Sequence, residues 1–168
     1  MREREMTERT VTCSTFTIER TLAALPNQVF ATFADVNLKT RMLAESDGEE
    51  VGAALGHAEF DFRIGGRERF EFVEEDGRKM KYDALYYDIV PDQRIVYTYE
   101  MYSDGSRISV SVASIELLES ATSTTLIWTE QGAFLDGLDT SDLREGGTSW
   151  MIDNMAEYFD AGSPSDSR

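Results

Sequence analysis

Two carboxylates, Asp88 and Glu130, stand inside stretches of alternating apolar residues, where a strand would carry them into an apolar environment. Burial raises the pKa of a carboxyl group toward neutrality, and such a group can act as a general acid or base. Because the chain holds 32 acidic residues, some fall inside strands by chance, and a position facing solvent is the simpler interpretation. Glu130 and Asp88 are therefore weak catalytic candidates, and the catalytic residues stay unknown.

The chain has few residues that could bind a metal ion or form a nucleophilic catalytic site. The chain contains one histidine, His57, and one cysteine, Cys13, whereas metal sites need clustered His, Cys or carboxylate ligands. A Ser-His-Asp relay would have to use His57, and no Gly-x-Ser-x-Gly elbow accompanies it. We predict no metal and no cofactor, and we place His57 in a loop at the surface.

The segment DFRIGGRERFEF, residues 61–72, joins two glycines to an alternating charged run. A phosphate cradle would need a strand, a glycine loop and then the start of a helix. Here Gly65 and Gly66 lead into a stretch with strand periodicity, which predicts a bend between strands. Asp61 and Arg63 then form either a surface ion pair or a charged pair at the mouth of a pocket.

Aromatic and methionine side chains are the residues that most strongly indicate a ligand-binding site. Tyrosine offers an apolar ring with one hydroxyl, and methionine adapts to varied shapes, so together they suit a small-molecule site. A plain core is the alternative, and strand parity does not decide which tyrosines face inward. The predicted ligand-binding residues are Tyr86, Tyr97, Tyr99, Trp128, Trp150, Met151 and Met155.

The elements that position these residues follow from sequence periodicity. Apolar residues alternate with polar ones from Ser14 to Leu22, and two short helices follow, one with Pro26 in its first turn and one capped by Asp35. A change of apolar phase predicts a bulge near Ala113. A loop is predicted over 44–57, and further strands over 58–64, 67–72, 81–90, 94–101, 107–118 and 124–131.

A long helix ends the chain. Asp142 and Glu145 resemble an N-terminal capping pair, and Met151, Met155 and Phe159 follow at helical spacing. Hairpin turns imply an antiparallel sheet, one face of which must be covered. The predicted fold class is α+β, with a sheet of about seven strands packed against this C-terminal helix.

Five short motifs stand in an order that resembles a known family. They are TFTIERTL at 15–22, LPNQVFATFAD at 25–35, EFDFRIGG at 59–66, YYDIVPDQRIVYTYE at 86–100 and GGTSW at 146–150. Together they resemble the activator of heat-shock protein 90 ATPase homologue-like family, in the bacterial branch of the START, polyketide cyclase or SRPBCC superfamily. The resemblance covers about residues 14–160.

This resemblance implies a helix-grip fold, in which a curved antiparallel sheet wraps around the C-terminal helix and leaves a hydrophobic cavity. Members bind, or are taken to bind, apolar small molecules, few have an established reaction, and the eukaryotic namesake acts on a chaperone. The family often has Arg-Trp at the end of the second helix, where this chain has Arg41-Met42. The aromatic wall expected at that position is therefore missing.

The composition predicts a soluble, cytoplasmic protein with one domain, which the resemblance implies is START-like. The chain has 168 residues, 41% of them hydrophobic, which is enough for one core. Its formal net charge of −16 disfavours nucleic acid and anionic membrane as partners. We predict a flexible N-terminus over 1–12, the domain over 13–161 and a flexible tail over 162–168, and we leave homodimerisation open.

Three functions are compatible with these features. The first is a module that binds an apolar or aromatic small molecule in a cavity between the sheet and the C-terminal helix. The second is a cyclase- or hydrolase-type enzyme that uses a buried carboxylate with a tyrosine as proton donor. The third is a module that interacts with a chaperone or another protein. The scarcity of His, Cys and metal motifs favours binding over catalysis.

Overall fold

A computed structural model of the chain describes residues 9–43 and 56–162. Most of the loop predicted over 44–57 lies outside the described residues. The order of elements that periodicity predicts is confirmed: one strand, two short helices, a succession of strands and a long helix. The elements are β1 (Val11–Leu22), α1 (Pro26–Ala34), α2 (Val36–Met42), β2 (Gly56–Phe60), β3 (Arg67–Val73), β4 (Lys79–Val90), β5 (Arg94–Ser103), β6 (Ser106–Glu119), β7 (Thr124–Leu135) and α3 (Ser141–Asp160).

The strands form one antiparallel sheet in the order β1-β7-β6-β5-β4-β3-β2. Each strand from β2 to β6 pairs with its successor in the chain, and β1 pairs with β7. The side of the sheet that shares a buried apolar cluster with α1 and α3 is called here the inner face. This arrangement confirms the predicted α+β helix-grip fold, with a curved sheet around the C-terminal helix.

The first strand begins at Val11, three residues before the predicted start at Ser14. Its partner β7 continues to Leu135, which offers backbone groups as far as Val11. Just before the strand, the backbone N–H of Thr10 donates to Asp136 at 3.0 Å. In the described part of the chain, no helix combines the length and the apolar character that crossing a membrane requires.

The two short helices follow from local signals. Pro26 occupies the first turn of α1, where its missing N–H is not needed, and the Gln28 side chain accepts from the backbone of Leu25 at 2.9 Å. Asp35 ends α1 and caps α2, because its side chain accepts from the backbone N–H of Asn37 at 2.8 Å and of Leu38 at 3.0 Å. The predicted roles of Pro26 and Asp35 are thus confirmed.

The bulge predicted near Ala113 is wrong, since β5 and β6 pair without interruption around that residue. The register shifts near the start of β6 instead, where Met101 pairs with Ser109 and Tyr102 pairs with Arg107. The shift leaves both Ile108 and Ser109 buried, after which every second residue faces inward. Val110 and Val112 therefore lie on the outer face, although the sequence places them in phase with Ile108.

The cap of α3 also differs from the prediction. The helix begins at Ser141, and the Thr140 hydroxyl accepts from the backbone N–H of Leu143 at 3.2 Å. Thr140 has the extended backbone conformation of a capping residue, whereas Asp142 already lies in the first turn. There its negative charge suits the helix N-terminus. Further along, Asp153 pairs with Arg20 of β1.

The two glycines of residues 61–72 form a bend that fixes the position of a tyrosine. Gly65 has φ of 82°, a conformation that favours glycine, and its N–H donates to the Tyr86 carbonyl at 2.8 Å. Tyr86 N–H donates back to the Gly66 carbonyl at 3.1 Å. A Cβ on Gly66 would lie 2.0 Å from the Asp61 carbonyl oxygen. The segment is therefore a bend rather than a phosphate cradle.

Candidate functional site

Strand register places the predicted tyrosines side by side on the inner face. Tyr86, Tyr97 and Tyr99 are buried there, and neighbouring rings lie 5.9 Å apart between Tyr86 and Tyr97 and between Tyr97 and Tyr99. Tyr87 points outward and is 57% exposed. One row across five strands joins Tyr86, Tyr97, Ala113, Glu130 and Phe16.

These tyrosines are neutral hydrogen-bonding groups set in an apolar wall. Burial, with the neighbouring Tyr99 and Glu130, raises the pKa of Tyr97 well above its ordinary value of 10.0. Burial also raises the pKa of Tyr99, and Glu130 adds to this effect while Arg144 opposes it. The hydroxyls therefore keep their protons across the physiological pH range.

Glu130 belongs to a polar group, called here the Glu130 cluster, with the buried Tyr99 and Ser109 and the half-buried Asp139 and Arg144. Tyr99 Oη donates to Glu130 Oε1 at 2.5 Å, and Arg144 Nη1 donates to Tyr99 Oη at 2.8 Å. Arg144 Nη2 donates to Ser109 Oγ at 2.7 Å and to Asp139 Oδ2 at 2.6 Å. Arg144 thereby ties the first turns of α3 to the inner face of the sheet.

Three buried polar atoms of the inner face have no hydrogen-bond partner within residues 9–43 and 56–162: Ser111 Oγ, Trp128 Nε1 and Glu130 Oε2. Glu130 is 1% exposed and Trp128 is 5% exposed. The two stand two residues apart on β7, so their side chains leave the same face with Cα atoms about 7 Å apart. An unpartnered buried polar group costs about 1–3 kcal/mol, and more when it is charged. The inner face thus holds one unpartnered acceptor, Glu130 Oε2, one unpartnered donor, Trp128 Nε1, and the Ser111 hydroxyl, which can donate or accept.

A second buried carboxylate, Glu68 of β3, is fully paired. Lys39 Nζ of α2 donates to Glu68 Oε2 at 2.5 Å, and Tyr86 Oη donates to the same oxygen at 2.6 Å. His57 Nε2 lies 3.0 Å from Glu68 Oε1, and the His57 side chain is 6% exposed. These four residues are called here the Glu68 cluster, and they join α2, β2, β3 and β4.

The charges of the Glu68 cluster balance. Burial alone would raise the pKa of Glu68, but the ammonium of Lys39 and hydrogen bonds from His57, Lys39 and Tyr86 lower it from 4.5 to about 2. Burial, together with the Glu68 carboxylate, raises the pKa of Tyr86. An ionised Glu68 beside a charged Lys39 needs no further partner, so this cluster is a structural tie between the elements.

Sequence reasoning missed Glu68, Lys39 and Arg144, although Glu68 and Arg144 each carry a periodic signal. Glu68 shares strand parity with the buried Phe70, and Arg144 continues a helical stripe through Thr148. The placement of His57 in a surface loop is wrong, because it lies in β2 with a buried side chain.

The remaining candidates occupy different places. Asp88 lies apart from Glu130, with a side chain 37% exposed and paired with Arg94 at 2.6 Å. Met151 and Met155 belong to the buried cluster, and Thr32 Oγ1 of α1 lies 3.8 Å from the Met155 sulfur. Trp150 is 39% exposed on α3.

The described residues also form an open depression of about 510 Å³ on the outer face. Its lining residues come from β1, β6 and β7; Cys13, Val110 and Val112 are exposed there, whereas Ser111 and Gly132 are buried beneath. It lies on the opposite side of the sheet from the tyrosines and both buried carboxylates, so it offers no chemistry of its own. No three His, Cys, Asp or Glu residues of the described ranges are grouped so that they could hold a metal ion.

The fold and the tyrosine-lined inner face define a helix-grip domain of the START-like class. The family model described as activator of Hsp90 ATPase homolog 1-like protein matches residues 23–160, and the chain belongs to this family. Its family resemblance and fold, expected from the five motifs, are thereby confirmed.

Solved structures of bacterial proteins resemble the chain along most of its length. A Rhizobium leguminosarum protein is 34% identical, with 92% of this chain and 99% of that chain covered and a TM-score of 0.83. Mll3558 from Rhizobium loti is 42% identical, with 88% and 98% covered and a TM-score of 0.77. CV1439 from Chromobacterium violaceum, 22% identical with 87% and 96% covered and a TM-score of 0.73, shares the fold. No match is found among curated proteins.

Proposed function

We propose that this protein binds an apolar or aromatic small molecule between the inner face of the sheet and α3, without converting it. The observation that carries the proposal is the pair of unpartnered buried atoms, Glu130 Oε2 and Trp128 Nε1, within a wall of aromatic rings. A site of this kind combines apolar lining with a few polar anchors, which is the usual composition of a small-molecule pocket.

The methionines of α3 supply the opposite wall of the proposed site. Met151 and Met155 are buried in the same cluster as Tyr97 and Trp128. Methionine is flexible and polarisable, so such a wall can adapt to ligands of different shape. Membership of a START-like family supports the same location.

Catalysis is the second candidate, because Tyr99 Oη and Glu130 Oε1 are only 2.5 Å apart. A buried carboxylate beside a tyrosine is the arrangement that an acid–base enzyme would use. However, the raised pKa of Tyr99 makes it a poor proton donor near neutral pH. If Glu130→Gln abolished conversion of an identified ligand while binding persisted, the protein would be an enzyme.

The decisive experiment is a thermal-shift screen with apolar and aromatic metabolites. A ligand that binds only the folded protein, at a hundred times its Kd, stabilises it by about 2.7 kcal/mol. For a domain of this size that is a rise in Tm of about 5–10 °C. A chaperone-type function predicts no such rise and predicts instead a salt-dependent complex with a partner protein.

A filling substitution tests the location of the site. Ala113 is fully buried on the inner face between Tyr97 and Glu130. Ala113→Leu should therefore abolish the ligand-induced rise in Tm at a cost below about 1 kcal/mol, because the added atoms enter the ligand space. Ser114→Leu, on the neighbouring outer position, should leave ligand binding unchanged. A filled core would instead make Ala113→Leu cost about 1–3 kcal/mol or more, and that result would contradict the proposal.

A further inference from the structure

We propose that the site is selective for organic cations, meaning a protonated amine on an apolar or aromatic body whose ammonium group binds Glu130 Oε2. The inference rests on the proposed function and specifies its ligand class. It starts from the asymmetry of the Glu130 carboxylate. Oε1 accepts from Tyr99 and Arg144, whereas Oε2 has no partner among the described residues.

The formal charges of the Glu130 cluster leave one negative charge without a matching cation. Arg144 is the cation of the cluster, and it faces two carboxylates, Asp139 at 2.6 Å and Glu130 at 3.5 Å. The shorter contact goes to Asp139, so by formal charge the cluster lacks a second cation that would match Glu130. A buried carboxylate that shares its only nearby cation with a second carboxylate is incompletely compensated, and a ligand that supplies another cation would stabilise it.

The Glu68 cluster is an example, in this protein, of a buried carboxylate with both oxygens paired. Glu68 faces Lys39 at 2.5 Å, and both of its oxygens have partners. The two buried carboxylates stand on the same inner face, yet only one has its own ammonium group. An amine ligand would give Glu130 the partner that Lys39 gives Glu68.

The aromatic rings around Glu130 favour the same class of ligand. Phe16 pairs with Glu130 across β1 and β7, and Trp128 precedes it by two residues on the same face. The Tyr97 ring stands edge-on to Trp128 at 6.4 Å. Ring faces attract ammonium groups electrostatically, and boxes of aromatic residues are a recurring way of binding amines.

The same features disfavour anions. A ligand carboxylate or phosphate would meet Glu130 directly and would approach a protein with a formal net charge of −16. An alcohol could donate one neutral hydrogen bond to Oε2 but would leave the surplus charge unmatched. The expected order of affinity is therefore amine, then alcohol, then carboxylate.

Three probes with one shared body test this order: 4-phenylbutylamine, 4-phenylbutan-1-ol and 4-phenylbutanoate. The full chain is titrated with each at pH 7, and binding is followed by NMR at the indole N–H of Trp128. We expect the amine to bind at least tenfold more tightly than the alcohol, and the carboxylate to bind most weakly. Equal affinities of amine and alcohol would overturn the inference and leave the proposed function standing. If none of the probes and no compound of the thermal-shift screen binds, the proposed function itself fails.

Substitution of the carboxylate then assigns the preference to one residue. Glu130→Gln keeps the shape and removes the charge, and it should reduce the preference for the amine to less than threefold. Glu116→Gln is the control, because it changes the net charge equally at an exposed position of β6. A preference that survives in folded Glu130→Gln, or is lost equally in Glu116→Gln, would overturn the inference. The wild-type series decides the question even if Glu130→Gln does not fold.

Discussion

Replacing Lys39 with methionine removes the ammonium group from a buried ion pair while keeping most of the side-chain stem. Lys39 Nζ lies 2.5 Å from Glu68 Oε2, and the Glu68 side chain is 0% exposed. The pKa of Glu68 falls from 4.5 to about 2, and each pH unit corresponds to about 1.4 kcal/mol, so its interactions favour the ionised form by about 3 kcal/mol. His57 and Tyr86 would still donate to Glu68 after the change. We therefore expect Lys39→Met to cost about 3 kcal/mol, the lower end for breaking a buried ion pair.

The assay is urea unfolding at pH 7, followed by tryptophan fluorescence. With a slope of about 1–3 kcal/mol per molar urea, the midpoint should fall by about 1–3 M. The double variant Lys39→Met/Glu68→Gln should recover more than half of the loss, because it leaves no unpaired charge. Arg94→Met is the matched control, since it breaks a pair of similar length, 2.6 Å, at the surface, and should cost less than about 1 kcal/mol. The reasoning is refuted if Lys39→Met costs no more than this control, or if the double variant is as unstable as the single one.

Three further predictions concern pH, glycine positions and a helix cap. The folded-state pKa of Glu68 lies below its ordinary value, so its contribution is complete above about pH 4.5 and is lost as the pH falls toward 2. Between pH 6 and pH 3, urea unfolding should show the wild type losing about 2 kcal/mol more than Glu68→Gln, and parallel losses would contradict this. Gly132→Ala should lower the free energy of unfolding by about 1–3 kcal/mol, because the new Cβ would lie 2.8 Å from the Phe134 ring. Gly146→Ala should raise the free energy of unfolding by about 0.5–1 kcal/mol, because the new Cβ has open space in α3 and alanine favours the helix. Thermal unfolding checks this pair: Tm should fall in Gly132→Ala and rise in Gly146→Ala. Thr140→Ala should lower the unfolding free energy by about 1 kcal/mol through loss of the α3 cap, and an unchanged urea midpoint would show the cap to be unimportant.

Elements specified by neighbouring residues could be predicted from the sequence. Pro26 and Asp35 act on backbone groups within a few residues, so the starts of their helices can be located without information from the rest of the chain. Local signals could not predict which residues of β6 face the inner side of the sheet. The bulge of β6 depends on how Tyr102 and Arg107 pair across two strands, and the apolar side chains of Val110 and Val112 look the same on either face.

The candidate site was predictable as a set of residue types, and its arrangement was not. The predicted tyrosines and Trp128 do lie together on the inner face, because alternation along a strand keeps residues of one parity on one side. The sequence does not show that Glu130 shares Arg144 with Asp139, whereas Glu68 has Lys39 to itself. Those partners come from elements far apart in the chain.

The amino-acid pattern by itself determined the class of fold, the family and the presence of many aromatic residues on the strands, since these depend on periodicity and on short local motifs. Tertiary structure alone decided which buried carboxylate is neutralised and which retains a free oxygen. The physical reason is that the partner of a buried charge is set by distances of a few ångströms between elements that the chain brings together only on folding.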